Sequence, residues 1–191
     1  MIGIIQSIMI TAFLNYGLID REEIEAYKFG IECYILKIIH FGTYILGAVL
    51  LKSLFEFLAF FVSYSLLRKY AGGIHANTRR MCLILSNIII FFLLIFGQKI
   101  EYGIILYFLS IISLVTIMIL GPIANPDRKL SLKEKSKFKK NIIYICLIEI
   151  IAINIFKECD FLKWMQIGAV VSAAVAIAGK IKYDLVFQNN I

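Results

Sequence analysis

The sequence predicts an all-α fold, a polytopic integral membrane bundle of helices, and three observations support it. Hydrophobic residues make up 61% of the 191 residues, well above their share in soluble domains. Only two prolines interrupt the chain, and its apolar stretches are separated by short charged segments. Because a helix needs about 20 apolar residues to cross a bilayer, there is room for several spans and for no separate soluble domain. We therefore expect residues 1–191 to form a single membrane domain.

Six transmembrane helices are predicted. About 30 mostly apolar residues, from 37 to 67, are interrupted by Lys52 and Glu56, and this stretch is too long for one span. We therefore expect a hairpin that turns near Lys52 and Ser53 and supplies two short spans. The other four spans are predicted at residues 82–98, 102–121, 141–156 and 164–179.

The first 37 residues are expected to form an amphipathic region at the membrane interface, because mixed charges continue from residue 20 to 37. Whether residues 1–19 lie on the membrane or cross it stays open. No Lys or Arg precedes Arg21, so we do not expect a cleaved signal peptide. Small or polar residues recur every four positions on this otherwise apolar helix: Gly3, Ser7, Thr11 and Asn15.

The distribution of Lys and Arg predicts the orientation, because these residues collect in cytoplasmic loops. Thirteen of them lie in the segments 68–81, 122–140 and 180–182, against four in the opposite loops. We therefore expect residues 68–82, a basic loop at 122–140 and both termini to face the cytoplasm. The net charge of +7 does not indicate nucleic acid, because the cations alternate with spans instead of forming a continuous face.

The last predicted span carries a face of small residues, Gly168, Ser172 and Ala176. Such a face lets another helix approach closely. It could belong to a homodimer, which we expect, or to packing within one subunit.

The stretch RKYAGGIHANTRRMC, residues 68–82, is the candidate catalytic segment. Taken singly, Cys82 could be a small apolar filler and His75 a solvated surface group; together they suggest a nucleophile and its base. On an unbroken helix the seven-residue step covers about 10.5 Å, too far for proton transfer. A helix should therefore begin between them, with Asn77 or Thr78 as its N-cap.

Five neighbouring residues could support this pair. Gly72 and Gly73 allow the chain to turn back, and the helix start together with Arg79 and Arg80 favours the thiolate of the cysteine. The two arginines could equally serve only as topology anchors. Arg68 could bind backbone carbonyls or a substrate carboxylate. One His and one Cys give too few ligands for a metal, so we expect no metal and no cofactor.

Two further charged features have alternative explanations. A lysine cluster could attract an acidic peptide, or it could reflect only topology and contact with anionic lipid. Glu149 lies within a predicted span, where an acid suggests function; it could pair with Lys52 or orient His75. The lysines of the cluster are Lys133, Lys135, Lys137, Lys139 and Lys140.

The segment 68–82 resembles the signature of the accessory gene regulator B family, membrane cysteine endopeptidases of Gram-positive bacteria. GPIANPDRKL, residues 121–130, resembles that family's proline-containing loop. The resemblance implies a bacterial cell-membrane enzyme that removes the acidic C-terminal tail of a pheromone precursor. It implies that Cys82 keeps the upstream part as an acyl thioester, which the precursor's own cysteine converts into a thiolactone for quorum sensing. His75 then matches the catalytic histidine, and Arg68 and Gly73 match other positions needed for activity.

Two other functions remain as alternatives. A small peptide transporter could use Glu149 in a translocation path, although apart from Glu149, Asn87 and Asn154 the predicted spans are poor in polar residues. A noncatalytic membrane scaffold is the other alternative. Both would tolerate replacement of Cys82.

Overall fold

A computed structural model describes residues 2–74, 78–123, 130–156 and 159–188. Every regular element among these residues is helical. The helices are α1 (Ile2–Asn15), α2 (Ile24–Leu50), α3 (Leu54–Ala71), α4 (Arg79–Phe96), α5 (Ile104–Leu120), α6 (Leu132–Ile155) and α7 (Asp160–Gln188), with short 3₁₀ turns at Arg21–Glu23 and Gly97–Lys99. The chain divides into two compact units, residues 1–47 and 48–191.

In the first unit, α1 folds back on the start of α2 through a turn in which Gly17 has a φ of 64°. Ile10, Ile19 and Ile31 form a small buried cluster between them. The predicted polar stripe of α1 is exposed, and its hydroxyl groups donate within their own helix, as from Thr11 to the Ser7 carbonyl at 2.8 Å. The helix α2 starts at Ile24 and continues without interruption past Lys37, the residue at which the sequence predicts the first span to begin.

The predicted break between two helices at Lys52 and Ser53 is present, whereas two short membrane spans joined there stay a prediction. The helix α2 ends at Leu50 and α3 begins at Leu54. Between them, Lys52 has a φ of 55°, a left-handed conformation outside the helical range. The Ser53 amide donates to the Ala48 carbonyl at 2.8 Å, which closes the turn.

The second unit contains a bundle in which α7 packs mainly against α3 and α5, and α6 packs against the same two helices. Its core combines aliphatic side chains from α3, α5 and α6 with small ones from α7. The core residues are Leu67, Ala71, Leu114, Ile117, Ile142, Cys146, Ile153, Ala169 and Ala173. Among the described residues, the main neighbour of α4 is the 3₁₀ turn that directly follows it.

The small-residue face of α7 packs against α3 of the same chain. A Cβ atom at Gly168 would lie 2.7 Å from the Phe60 carbonyl oxygen, so glycine lets the two backbones touch. The Ser172 hydroxyl donates to the Tyr64 carbonyl at 3.5 Å. Of the two explanations that the sequence leaves open for this face, the structure shows packing within one subunit; a homodimer stays a prediction.

By length and composition, three helices in the described part of the chain could cross a membrane: residues 21–50, 81–99 and 160–185. Residues 104–120 of α5 form a shorter apolar helix. The many exposed large aliphatic and aromatic side chains, such as Ile84 and Ile88 on α4, agree with a lipid surrounding. The chain is thus an all-helical membrane protein, whereas the number of six spans stays a prediction.

Candidate active site

The candidate site begins where α3 ends. Its last turn is closed by the Gly72 amide, which donates to the Arg68 carbonyl at 3.2 Å. Gly72 and Gly73 have φ values of 76° and 137°, which side chains with a Cβ atom rarely adopt. These φ values agree with the expectation that the glycines give the backbone freedom to bend here; that the chain returns toward Cys82 stays a prediction, because residues 75–77 lie outside the described residues.

Arg68 lies across this turn. Its Nη2 atom donates to the Ile74 carbonyl, so the side chain bridges the residues at the start and end of the turn. Of the two contacts that the sequence leaves open for Arg68, the structure shows the one with a backbone carbonyl. Its Nη1 atom is buried without an acceptor among the described residues.

The segment Gly72–Ile74 is held between the chain that follows α5 and the middle of α7. On one side, the Ile123 amide donates to the Ala71 carbonyl at 2.9 Å. On the other, the Ile74 amide donates to the Val175 carbonyl at 3.1 Å. Both contacts are made by main-chain atoms, so the direction in which the chain leaves toward residue 75 is fixed by two other parts of the bundle.

Two close approaches make this arrangement possible. A Cβ atom at Gly179 of α7 would lie 2.5 Å from both the Gly73 carbonyl carbon and the Ile74 nitrogen. A Cβ atom at Gly72 would lie 3.0 Å from the Ile123 carbonyl oxygen. Glycine is therefore required at both positions for the backbones to meet.

The helix α4 begins at Arg79, and Thr78 is its N-cap. The Thr78 hydroxyl accepts a hydrogen bond from the Met81 amide at 3.3 Å, and the Cys82 amide donates to the Thr78 carbonyl at 3.0 Å. The prediction of a helix start between His75 and Cys82, with a capping residue at this position, is confirmed. Cys82 thus lies in the first turn, at the end of the helix where free amides attract negative charge.

Cys82 is partly exposed and carries a free thiol. His75 and Asn77 lie outside the described residues, so the approach of the His75 imidazole to the Cys82 thiol stays a prediction. The side chains of Arg79 and Arg80 are not described either. The other cysteines have different surroundings: Cys146 is buried in the core, and Cys33 and Cys159 are exposed. No group of three potential metal ligands occurs among the described residues.

The five lysines of the cluster lie on the first turns of α6, although the sequence analysis places them in a loop up to residue 140. A capping box explains the early helix start: the Ser131 hydroxyl accepts from the Glu134 amide at 3.2 Å, and the Glu134 carboxylate accepts from the Ser131 amide at 3.0 Å. The helix places the lysines on two faces. Lys135 and Lys139 line a groove of about 620 Å³ together with Lys180, whereas Lys133, Lys137 and Lys140 line a separate surface groove.

Lys139 differs from the other four lysines because its ammonium group contacts the end of α5. It donates to the carbonyls of Met118, Ile119 at 3.3 Å and Gly121 at 3.0 Å. An ammonium group has three N–H donors, so these carbonyls account for all of them. The sequence analysis found Lys139 only as one charge of the cluster, and nothing in its sequence neighbourhood distinguishes it from Lys137 or Lys140.

Glu149 is buried between α6 and α3, where its carboxylate accepts a hydrogen bond from the Ser63 hydroxyl at 3.1 Å. This partner is neither Lys52 nor His75, the two that the sequence analysis considers. Val175, Ile123 and Gly179 are the other residues at the site that sequence reasoning missed. Only Gly179 had a usable signal, because it extends the small-residue face of α7.

Comparison with known families gives one result. The family model for accessory gene regulator B, AgrB, matches residues 6–178 of this chain. The match includes the segment 68–82, the lysine cluster and most of α7. Comparison with curated proteins gives no match, and comparison with solved structures gives none either.

Proposed function

This chain belongs to the accessory gene regulator B family, and on that premise we propose that it is a membrane cysteine endopeptidase acting on a pheromone precursor. Membership implies a part in the processing of a quorum-sensing peptide at a membrane. The observation that carries the finer proposal is the position of Cys82. It lies partly exposed in the first turn of α4, eight residues in the sequence after Ile74, whose amide is hydrogen-bonded to the Val175 carbonyl.

The proposed reaction has two steps. His75 takes the thiol proton, and the Cys82 sulfur attacks the carbonyl carbon of the bond before the precursor's C-terminal tail. The C–N bond breaks, His75 gives the proton to the leaving amine, and the upstream peptide stays on Cys82 as a thioester. The thiol of the precursor's own cysteine then attacks this thioester, which closes a thiolactone ring and returns Cys82 to its free state.

Exchange of one thioester for another changes little bond energy, so the outcome depends on which nucleophile reaches the thioester first. Holding the attacking thiol close and excluding water both favour ring closure over hydrolysis. Cys82 stands at the start of a helix that exposes several large apolar side chains, as at Ile84 and Ile88. This position at the boundary of the lipid limits the access of water.

The supporting roles follow from position and charge. Arg68, Gly72 and Gly73 shape the segment that leads to His75, and Arg79 and Arg80 contribute two positive charges within three residues of Cys82 in the sequence. The lysine cluster attracts the acidic tail of the precursor from the cytoplasmic side, over a Debye length of about 8 Å. The cluster consists of Lys133, Lys135, Lys137, Lys139 and Lys140.

The test is to incubate membranes containing the protein with its precursor and to follow tail removal by mass spectrometry. The precursor is a short peptide with an amphipathic leader, a cysteine and an acidic tail, expected in a small reading frame beside this gene. Cys82→Ser and His75→Ala should each abolish cleavage. Cys33→Ala and Cys159→Ala are the matched controls, because these exposed thiols lie outside the segment 68–82, and both should keep most activity. Full activity of Cys82→Ser would reject the mechanism.

A further inference from the structure

We propose that Lys139 is a positioning residue for the catalytic segment, a role that deepens the proposed function and rests on it. The last carbonyls of a helix have no partner within the helix. At the end of α5 the hydrogen-bond donor is Lys139 of α6, whose ammonium group donates to the carbonyls of Met118, Ile119 and Gly121. The contact therefore fixes the end of one helix to the side of another.

The contact of Lys139 with Gly121 is linked to the catalytic segment through the main chain from Gly121 to Ile123. Gly121, whose carbonyl accepts from Lys139, is two residues before Ile123. The Ile123 amide donates to the Ala71 carbonyl at 2.9 Å, and the Ile123 carbonyl oxygen lies 3.0 Å from where a Cβ atom on Gly72 would be. Lys139 thus holds the turn that forms one side of the Gly72–Ile74 segment, and His75 is the next residue.

This role separates Lys139 from its neighbours of the same charge. Lys137 lies on the other face of α6 and lines a different groove. If both lysines acted only as charges that attract an acidic tail, removing either would raise KM and leave kcat unchanged. Loss of a positioning contact instead lowers kcat, because reacting groups that are misplaced by about 1 Å can lose about a hundredfold in rate.

The test compares Lys139→Met with Lys137→Met, which remove the same charge from the same helix. We expect a fall in kcat of at least about tenfold for Lys139→Met and mainly a rise in KM for Lys137→Met. Lys139→Arg should restore most of the kcat, because a guanidinium group also offers several donors to neighbouring carbonyls. Equal changes in KM for both Met variants, with kcat unaffected, would overturn the proposal.

A second measurement does not depend on activity. Hydrogen–deuterium exchange of the amides of Ile123 and Ile74 should be faster in Lys139→Met than in the wild type or in Lys137→Met. The Ile123 amide donates to the Ala71 carbonyl directly before the held segment, and the Ile74 amide joins that segment to the Val175 carbonyl of α7. If the wild type does not cleave the precursor, the proposed function fails while this measurement still decides whether Lys139 fixes the segment. Unchanged exchange in Lys139→Met would refute the positioning role.

Discussion

Gly179→Ala tests the contact between α7 and the catalytic segment. In the interior of a helix, Ala is favoured over Gly by about 1 kcal/mol, so helix propensity alone predicts a more stable protein. The new Cβ atom would however lie 2.5 Å from the Gly73 carbonyl carbon and the Ile74 nitrogen. Since ordinary contacts between such atoms are about 3.5 Å or longer, the Gly73–Ile74 segment must move by about 1 Å. A shift of this size can reduce the rate of a reaction about a hundredfold.

The assay is the initial rate of precursor cleavage, with the thermal unfolding midpoint measured in parallel. We expect Gly179→Ala to lose about a hundredfold in kcat while it stays folded. Gly42→Ala is the matched control, because Gly42 also lies inside a helix and a Cβ atom there has nothing within 4 Å; its activity should equal that of the wild type. A Gly179→Ala enzyme that cleaves within about threefold of the wild-type rate would refute the reasoning from close approach.

Three further substitutions test the rest of the site and the bundle. Thr78→Ala removes the N-cap of α4 and should weaken the helix start by about 1 kcal/mol, with faster amide exchange at Met81; Thr78→Ser should behave as the wild type. Ile142→Ala empties a fully buried core position and should lower the free energy of unfolding by about 2–5 kcal/mol, which a denaturation curve in detergent would measure. Ser63→Ala removes the hydrogen bond to Glu149 and should cost about 0.6 kcal/mol and at most about 1.7 kcal/mol, as for such bonds between membrane helices; a double-mutant cycle with Glu149→Leu, which removes the acceptor, checks it, and additive effects would contradict the coupling.

The parts of the fold that were predictable from sequence depend on local chemistry. The turn at Lys52 and Ser53 interrupts an apolar stretch that is too long for one helix, and the structure has the turn there. The helix start at Thr78 follows from the need for a break in the helix that lets His75 approach Cys82 and from the presence of a capping side chain, and Thr78 is the cap. In both places the deciding residues are close together in the sequence.

The parts that were not predictable depend on contacts between distant segments. The five lysines lie in a polar stretch, and polarity alone favours a loop. The helix start there depends on the capping box formed by Ser131 and Glu134. Lys139 is 18 residues from Gly121 in the sequence, and Ile74 is 101 residues from Val175. Hydropathy and charge spacing contain no information about such pairs, so only the three-dimensional structure reveals them.

Around Gly72–Ile74, three stretches of polypeptide touch through main-chain amides and carbonyls. Replacing Val175 or Ile74 by another residue of similar size would therefore leave the hydrogen bonds of these residues in place, because neither bond uses a side chain. The evolutionary constraint falls instead on the residues that let the backbones meet or hold them from outside, namely Gly72, Gly73, Gly179, Arg68 and Lys139. Variation across related chains should consequently be tolerated at the aliphatic positions and rare at these five.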